Sequence, residues 1–162
     1  MIKKIKRRKE LLESVEVIKT SFLTVAHHFN LTKENAPTNP AFITFDKLKE
    51  LKNKGLKLYG FYNLINRKQI GFVAIEKEDN KLYYMEKLCV LPKFRHNGFG
   101  KELMNFVFNY VRRKNGNKVS IGIINENLIL KDYYIKNGFA EMNLKKFDHL
   151  PFTVCYMEKV LK

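Results

Sequence analysis

The chain has 162 residues, 45% of them hydrophobic and 29% charged, and carries a net charge of +15 from 31 Lys and Arg against 16 Asp and Glu. That length suffices for one domain with its own core, and no apolar run approaches the ~20 residues that a membrane-crossing helix needs. The basic surplus implies a field that attracts anions, whether a phosphorylated ligand, RNA or an acidic substrate, but does not choose among them.

In chain order, Ile2 to Arg7 alternates weakly and reads as an edge strand or a solvated basic arm. Leu11, Leu12, Val15, Ile18, Phe22, Val25 and Ala26 recur at helical spacing, and His27 and His28 close that helix where its macrodipole favours them. Asn30 to Ala41, with Asn35, Pro37, Asn39 and Pro40, reads as a loop. Thr44 is placed to cap a second helix carrying Phe45, Leu48 and Leu51 and stopping near Gly55. Three strands follow over Leu56 to Tyr62, Gln69 to Glu76 and Lys81 to Val90, joined by short polar connections that suggest an antiparallel meander.

From Gly98 the period turns helical again, with Leu103, Phe106, Val107, Tyr110 and Val111 on one face and a stop at Asn115-Gly116. Lys118 to Ile124 is an apolar strand, Leu128 to Asn137 a helix ended by Gly138, and Phe139 to Phe147 and Phe152 to Val160 two closing strands. The strand, helix and strand from Lys81 to Ile124 should form a right-handed unit with its two strands parallel. The expectation is an α/β fold: one domain, residues 1–162, with a mixed sheet flanked by helices.

Cys89 and Cys155 both lie in strand-like runs without zinc-ligand spacing, so they read as buried reduced thiols, and no metal site is expected. The N-terminal Lys and Arg cluster is followed by Glu10, Glu13 and Glu16 instead of the apolar stretch of a secretory leader, which points to a cytoplasmic protein.

The most informative stretch is Glu86 to Lys101, where an apolar strand meets a Pro-containing turn, an Arg and two glycines at the start of a long helix. Main-chain N–H groups can converge there on one anion. A Walker A loop is excluded, since Arg95 stands where its first glycine belongs and Glu102 where Ser or Thr belongs. A dinucleotide fingerprint fails at Leu103, where a third glycine is required. The pattern that fits is Arg-x-x-Gly-x-Gly from Arg95 to Gly100, followed downstream by Asn127, Tyr134 and Gly138-Phe139. In these two motifs, their order and separation, the chain resembles the GNAT superfamily of N-acetyltransferases from about Leu56 to its end.

The resemblance implies a GNAT-like, mostly antiparallel central sheet flanked by helices, with acetyl-coenzyme A as acyl donor and a primary amine as acceptor. It implies that Arg95, His96, Asn97, Gly98, Phe99, Gly100 and Lys101 hold the pyrophosphate, and that main-chain groups of Leu88, Cys89 and Val90 pair with pantetheine as an added strand would. Asn127 would bond the cofactor arm, or cap the helix that starts at Leu128. Tyr134 would protonate the departing thiolate, or pack as a core aromatic, while the adjacent Tyr133 is expected only to pack.

Glu86 shares a strand stripe with Leu82, Tyr84, Leu88 and Val90 on the reading of unbroken alternation. A carboxylate there suits a base acting on the amine, directly or through water, or forms a salt bridge with Lys87 or another lysine. His149, between the last two strands, and Glu126 are candidates for shaping the acceptor pocket. The net charge argues against a polycationic acceptor such as a polyamine. The resemblance leaves a monomer or a homodimer open. A rival class is a basic RNA- or ribosome-associated binding module with a vestigial or regulatory coenzyme site, which steeply salt-dependent RNA binding without coenzyme affinity would favour.

Overall fold

A computed structural model describes residues 1–162. Seven strands form one sheet: β1 (Ile2–Lys4), β2 (Lys57–Tyr62), β3 (Gln69–Lys77), β4 (Leu82–Val90), β5 (Lys118–Ile124), β6 (Ala140–Lys146) and β7 (Thr153–Val160). Their spatial order is β1-β2-β3-β4-β5-β7-β6, and every pair is antiparallel except β4 with β5. The mixed, mostly antiparallel sheet and the parallel β4/β5 pair are thus as expected. The weak N-terminal alternation becomes a three-residue edge strand, and the last strand inserts between β5 and β6.

The helices are α1 (Arg8–His28), α2 (Phe45–Asn53), α3 (Phe99–Arg113) and α4 (Leu128–Lys136). Thr44 caps α2, its hydroxyl accepting the Lys47 N–H at 3.2 Å. Gly55, at φ +108, lies just past its end, where a side chain would be strained. α3 buries Leu103, Met104, Val107, Phe108 and Val111, each contributing about 2 kcal/mol before ordering costs, against one face of the sheet. Tyr83, Met85, Val119, Ile121, Cys155 and Met157 complete that core. The other face packs Leu58, Phe72, Ala74 and Cys89 against Leu11, Val15 and Ile18 of α1 and Leu48 of α2. None of the helices is long and apolar enough to cross a membrane.

The feature that positions the site is a bulge in β4. Ala74 pairs with Glu86 and Phe72 with Cys89, so Lys87 and Leu88 together oppose Val73, and Lys87 takes φ +54, a value bulges usually reserve for glycine. The bulge reverses the alternation. Tyr83 and Met85 face the α3 core before it, whereas Val90 and the neighbouring Leu88 face that core after it. The single stripe read from the sequence is therefore two half-stripes. Glu86 shares its face with Leu82 and Tyr84, opposite to Leu88 and Val90. Beyond Tyr84–Ser120 the ladder between β4 and β5 also stops, so the two strands part like the arms of a V.

α1 starts at a capping box in which Glu10 receives the main-chain N–H of Arg7 at 2.9 Å and of Lys6 at 2.8 Å, and pairs with the Arg7 guanidinium at 2.7 Å. The Arg7 N–H foremost, then the Lys6 N–H and the Arg7 side chain, hold its carboxyl down from 4.5 to about 2. A depressed acid stabilises the fold above its unfolded value and loses that contribution as pH falls towards its folded one. Glu10→Gln should therefore lower the melting temperature near neutrality, and the gap to the parent should close between about pH 5 and pH 2. Melting curves across that range check this, and parallel pH profiles would contradict it.

Candidate active site

Six consecutive main-chain N–H groups, from His96 to Lys101, donate to nothing in the protein; the Arg95 N–H before them goes to the Pro92 carbonyl and the Glu102 N–H after them to that of Gly98. The chain alternates sign there, with φ −66 at Arg95, +63 at His96 and +82 at Gly98, which turns successive amides into one concavity at the α3 N-terminus. Nothing lies within 4 Å of where a Cβ on Gly98 would stand, so the mouth is open at that point. A Cβ on Gly100 would meet the Tyr133 hydroxyl at 3.4 Å. Tyr133 thus packs, as expected, but its hydroxyl also reaches the rim of this loop.

The loop's own side chains mostly serve to hold it. Arg95 spends its guanidinium on the Ser21 carbonyl at 2.7 Å, the Thr24 hydroxyl at 3.1 Å and the Val90 carbonyl at 3.1 Å, tying α1 to the end of β4. Asn97 donates to the carbonyls of Phe94 at 3.2 Å and Arg95 at 2.8 Å. Phe99 packs its ring on Phe61, 5.0 Å between centroids. His96 and Lys101 are exposed. An anion at this mouth would meet backbone before side chains.

From the loop, the arms of the V lead into a cleft of about 780 Å³ lined by Leu88, Ile123, Asn127, Leu130 and Tyr134 among others. The free edge of β4 over Leu88, Cys89 and Val90 faces the gap that β5 vacates. Asn127 caps α4 by accepting the Leu130 N–H at 3.2 Å, while its side-chain amide N–H₂ has no protein acceptor. Both roles expected of it are therefore compatible. Tyr134 is only 6% exposed, packs edge-on against Phe139, and has a hydroxyl that no protein group meets. Burial above all, then Tyr133, pushes its phenol well above the ordinary range, so it stays protonated. Cys89 is poorly suited to be a nucleophile, because burial pushes its thiol up to about 12.

On the face away from α3 and α4, the cleft is lined by Glu76, Glu86 and Glu158 and by one cation, Lys87, whose ammonium sits 3.5 Å from Glu86. Burial first, then the Glu86 and Glu78 charges, hold the Glu76 carboxyl above its usual range. Glu126 and His149 are not brought to the cleft. The Glu126 carboxylate accepts the Thr153 N–H at 3.2 Å, and His149 lies against Phe147 in the turn, although its neighbours Leu150 and Phe152 do line the cleft. Glu76, Lys87 and Glu158 escape the motif reading. The alternation Val154, Tyr156, Glu158 signals a shared face, but only strand order says that this face meets Ser120 and Tyr84.

The chain matches the Acetyltransferase (GNAT) family over residues 24–139. No curated protein sequence matches it. Among solved structures it is similar to the ribosomal-protein-S18-alanine N-acetyltransferase of Escherichia coli, at 10% identity and TM-score 0.78, over 100% of this chain and 94% of that one. A GNAT family acetyltransferase from Elizabethkingia anophelis with acetyl-CoA bound aligns at 20% identity and TM-score 0.63, over 71% and 82%. A GNAT family acetyltransferase from Staphylococcus aureus Mu50 aligns at 20% identity and TM-score 0.72, over 100% of both chains. At these identities the likeness concerns the fold.

Arg95→Ala should cost about 1 to 3 kcal/mol, because it orphans three acceptors, two in α1 and one at the end of β4, that the guanidinium now joins. Denaturant unfolding measures this. A stability equal to the parent's would show that the clamp holds nothing.

Proposed function

Since the chain belongs to the GNAT family of acetyltransferases, whose donor is acetyl-coenzyme A, we propose that it moves the acetyl group to a primary amine by direct attack within a ternary complex. The observation that carries this reading is the continuity of three features: six unspent amides at the α3 mouth, the free edge of β4, and the Tyr134 hydroxyl, which has no protein partner, on the wall of the cleft at the far end. Diphosphate, pantetheine arm and thioester of one extended ligand need those three environments in that order.

In this reading the amides of His96 to Lys101 hold the diphosphate, with the α3 dipole adding to the attraction. Leu88, Cys89 and Val90 offer their backbone to the pantetheine arm, and the Asn127 amide N–H₂ donates to it. The Leu88 N–H polarises the thioester carbonyl. Glu86, half exposed on the opposite face, takes a proton from the acceptor ammonium, directly or through water. The freed amine forms the new C–N bond as the C–S bond breaks, Tyr134, kept neutral by burial, gives its proton to the sulfur, and the surplus proton on nitrogen then leaves through solvent and restores the phenol. The Lys87 ammonium, 3.5 Å from Glu86, holds that carboxylate in place at the cleft.

Acetyl-coenzyme A at a hundred times its dissociation constant should stabilise the protein by about 2.7 kcal/mol. Gly98→Arg, which fills the open mouth, should abolish that shift while leaving a folded protein; a shift like the parent's would displace the diphosphate from this loop. Tyr134→Phe should slow thiol release by about 100-fold with little change in coenzyme affinity, and unchanged turnover would remove the phenol from the acid role. Glu86→Gln should lower kcat/KM near neutrality and recover as pH rises, because the amine then deprotonates unaided. A pH-independent ratio to the parent would exclude Glu86 as the base.

A further inference from the structure

Resting on the reading above, we infer that the acceptor is an elongated amine with at least two positive charges, whose remote ammonium is held between Glu76 and Glu158 while its near amine reacts beside Glu86. Glu76 pairs with Tyr84, Tyr84 with Ser120 and Ser120 with Glu158, so these residues form one straight row across β3, β4, β5 and β7. Three strand spacings separate the two carboxylates at the backbone, roughly 14 Å, and both side chains lie on the face that lines the cleft. Glu86 stands two residues further along β4, at the opening of the V.

The charge of this row runs against that of the molecule. The chain has 31 Lys and Arg against 16 Asp and Glu, yet the cleft is lined by three Glu and one Lys. Lys87 is committed to Glu86. Glu76 and Glu158 are half-buried and take part in none of the six ion pairs and none of the side-chain hydrogen bonds. In a protein with so large a surplus of cations, two half-buried carboxylates without a partner, in a cleft that also receives the unmet hydroxyl of Tyr134, call for a cation from outside. Leu82, Tyr84, Ser120 and Tyr156 between them give an aliphatic chain a surface to lie on. The Tyr84 phenol registers the same field: burial, then Glu78, Glu76 and Glu158, raise it above its ordinary range. The global charge, which argues against a polycation, lies outside this cleft.

The test compares acetyl transfer to diaminohexane, hexylamine and aminohexanoate, which share a length and differ only in the remote charge, in the parent and in Glu76→Gln and Glu158→Gln. In the parent, kcat/KM should favour the diamine over hexylamine by at least about tenfold, and aminohexanoate should be the poorest. Each variant should shrink the diamine-to-hexylamine ratio, with the loss in KM. Equal use of the three amines by the parent, or a ratio that the variants leave intact, overturns the inference while leaving acetyl transfer to amines standing. Failure of the parent, with acetyl-coenzyme A bound, to acetylate any of them overturns both. The comparison within the parent needs no variant to fold.

Discussion

The structure turns on one departure from regular pairing, the bulge at Lys87. A residue with φ +54 inside a strand carries a local cost of about 1 to 3 kcal/mol and persists only where the surroundings impose it. Here β3 on one side and two packed cores above and below leave β4 no other path. Its consequence is that β4 and β5, parallel and bonded through Tyr84–Ser120, have no further pairing. A continuous ladder would leave neither a free strand edge for a ligand to pair with nor a passage between the two faces of the sheet. The same bulge sets Glu86 on one face and Leu88 on the other, so that the carboxylate and the free main chain of β4 stand on opposite sides of the gap.

Arg95 couples that gap to the rest of the molecule. Its guanidinium, in the turn before α3, links the nearby end of β4 to α1, which lies far away in sequence. With the side chains of Arg95, Asn97 and Phe99 all committed to protein, the loop leaves its amides as the groups free to meet a ligand. On the proposed reading they would meet a diphosphate as fixed dipoles, which need no reorganisation when the ligand arrives. The glycines serve the same end, one by its left-handed conformation and the other by leaving room for the Tyr133 hydroxyl.

The distribution of charge separates what the whole chain attracts from what the cleft retains. A basic surface suits a ligand with phosphates approaching the α3 mouth, while the carboxylates on the other side of the sheet suit a cation. The sheet lies between these two regions, and the V at its centre is where they meet.

The residues that act locally were legible from the order of amino acids. Thr44 as a cap, Gly98 and Gly100 before an amphipathic helix and each strand segment follow from backbone preferences and periodicity within a few residues, while the Asn127 to Tyr134 spacing was legible only through the family resemblance. The stripe through Leu82, Tyr84, Glu86, Leu88 and Val90 was misleading for a physical reason. A bulge keeps the composition of a strand but shifts its phase, and Lys87 is not a residue that announces a left-handed turn. Nor does any local signal place β7 between β5 and β6, or line up Glu76 with Glu158 across four strands. The sequence by itself determined the fold class and the glycine turn before α3, and the family resemblance singled out Tyr134. Only the tertiary structure decided which side chains share a face and a cavity, because strand order and register are settled by packing between distant segments.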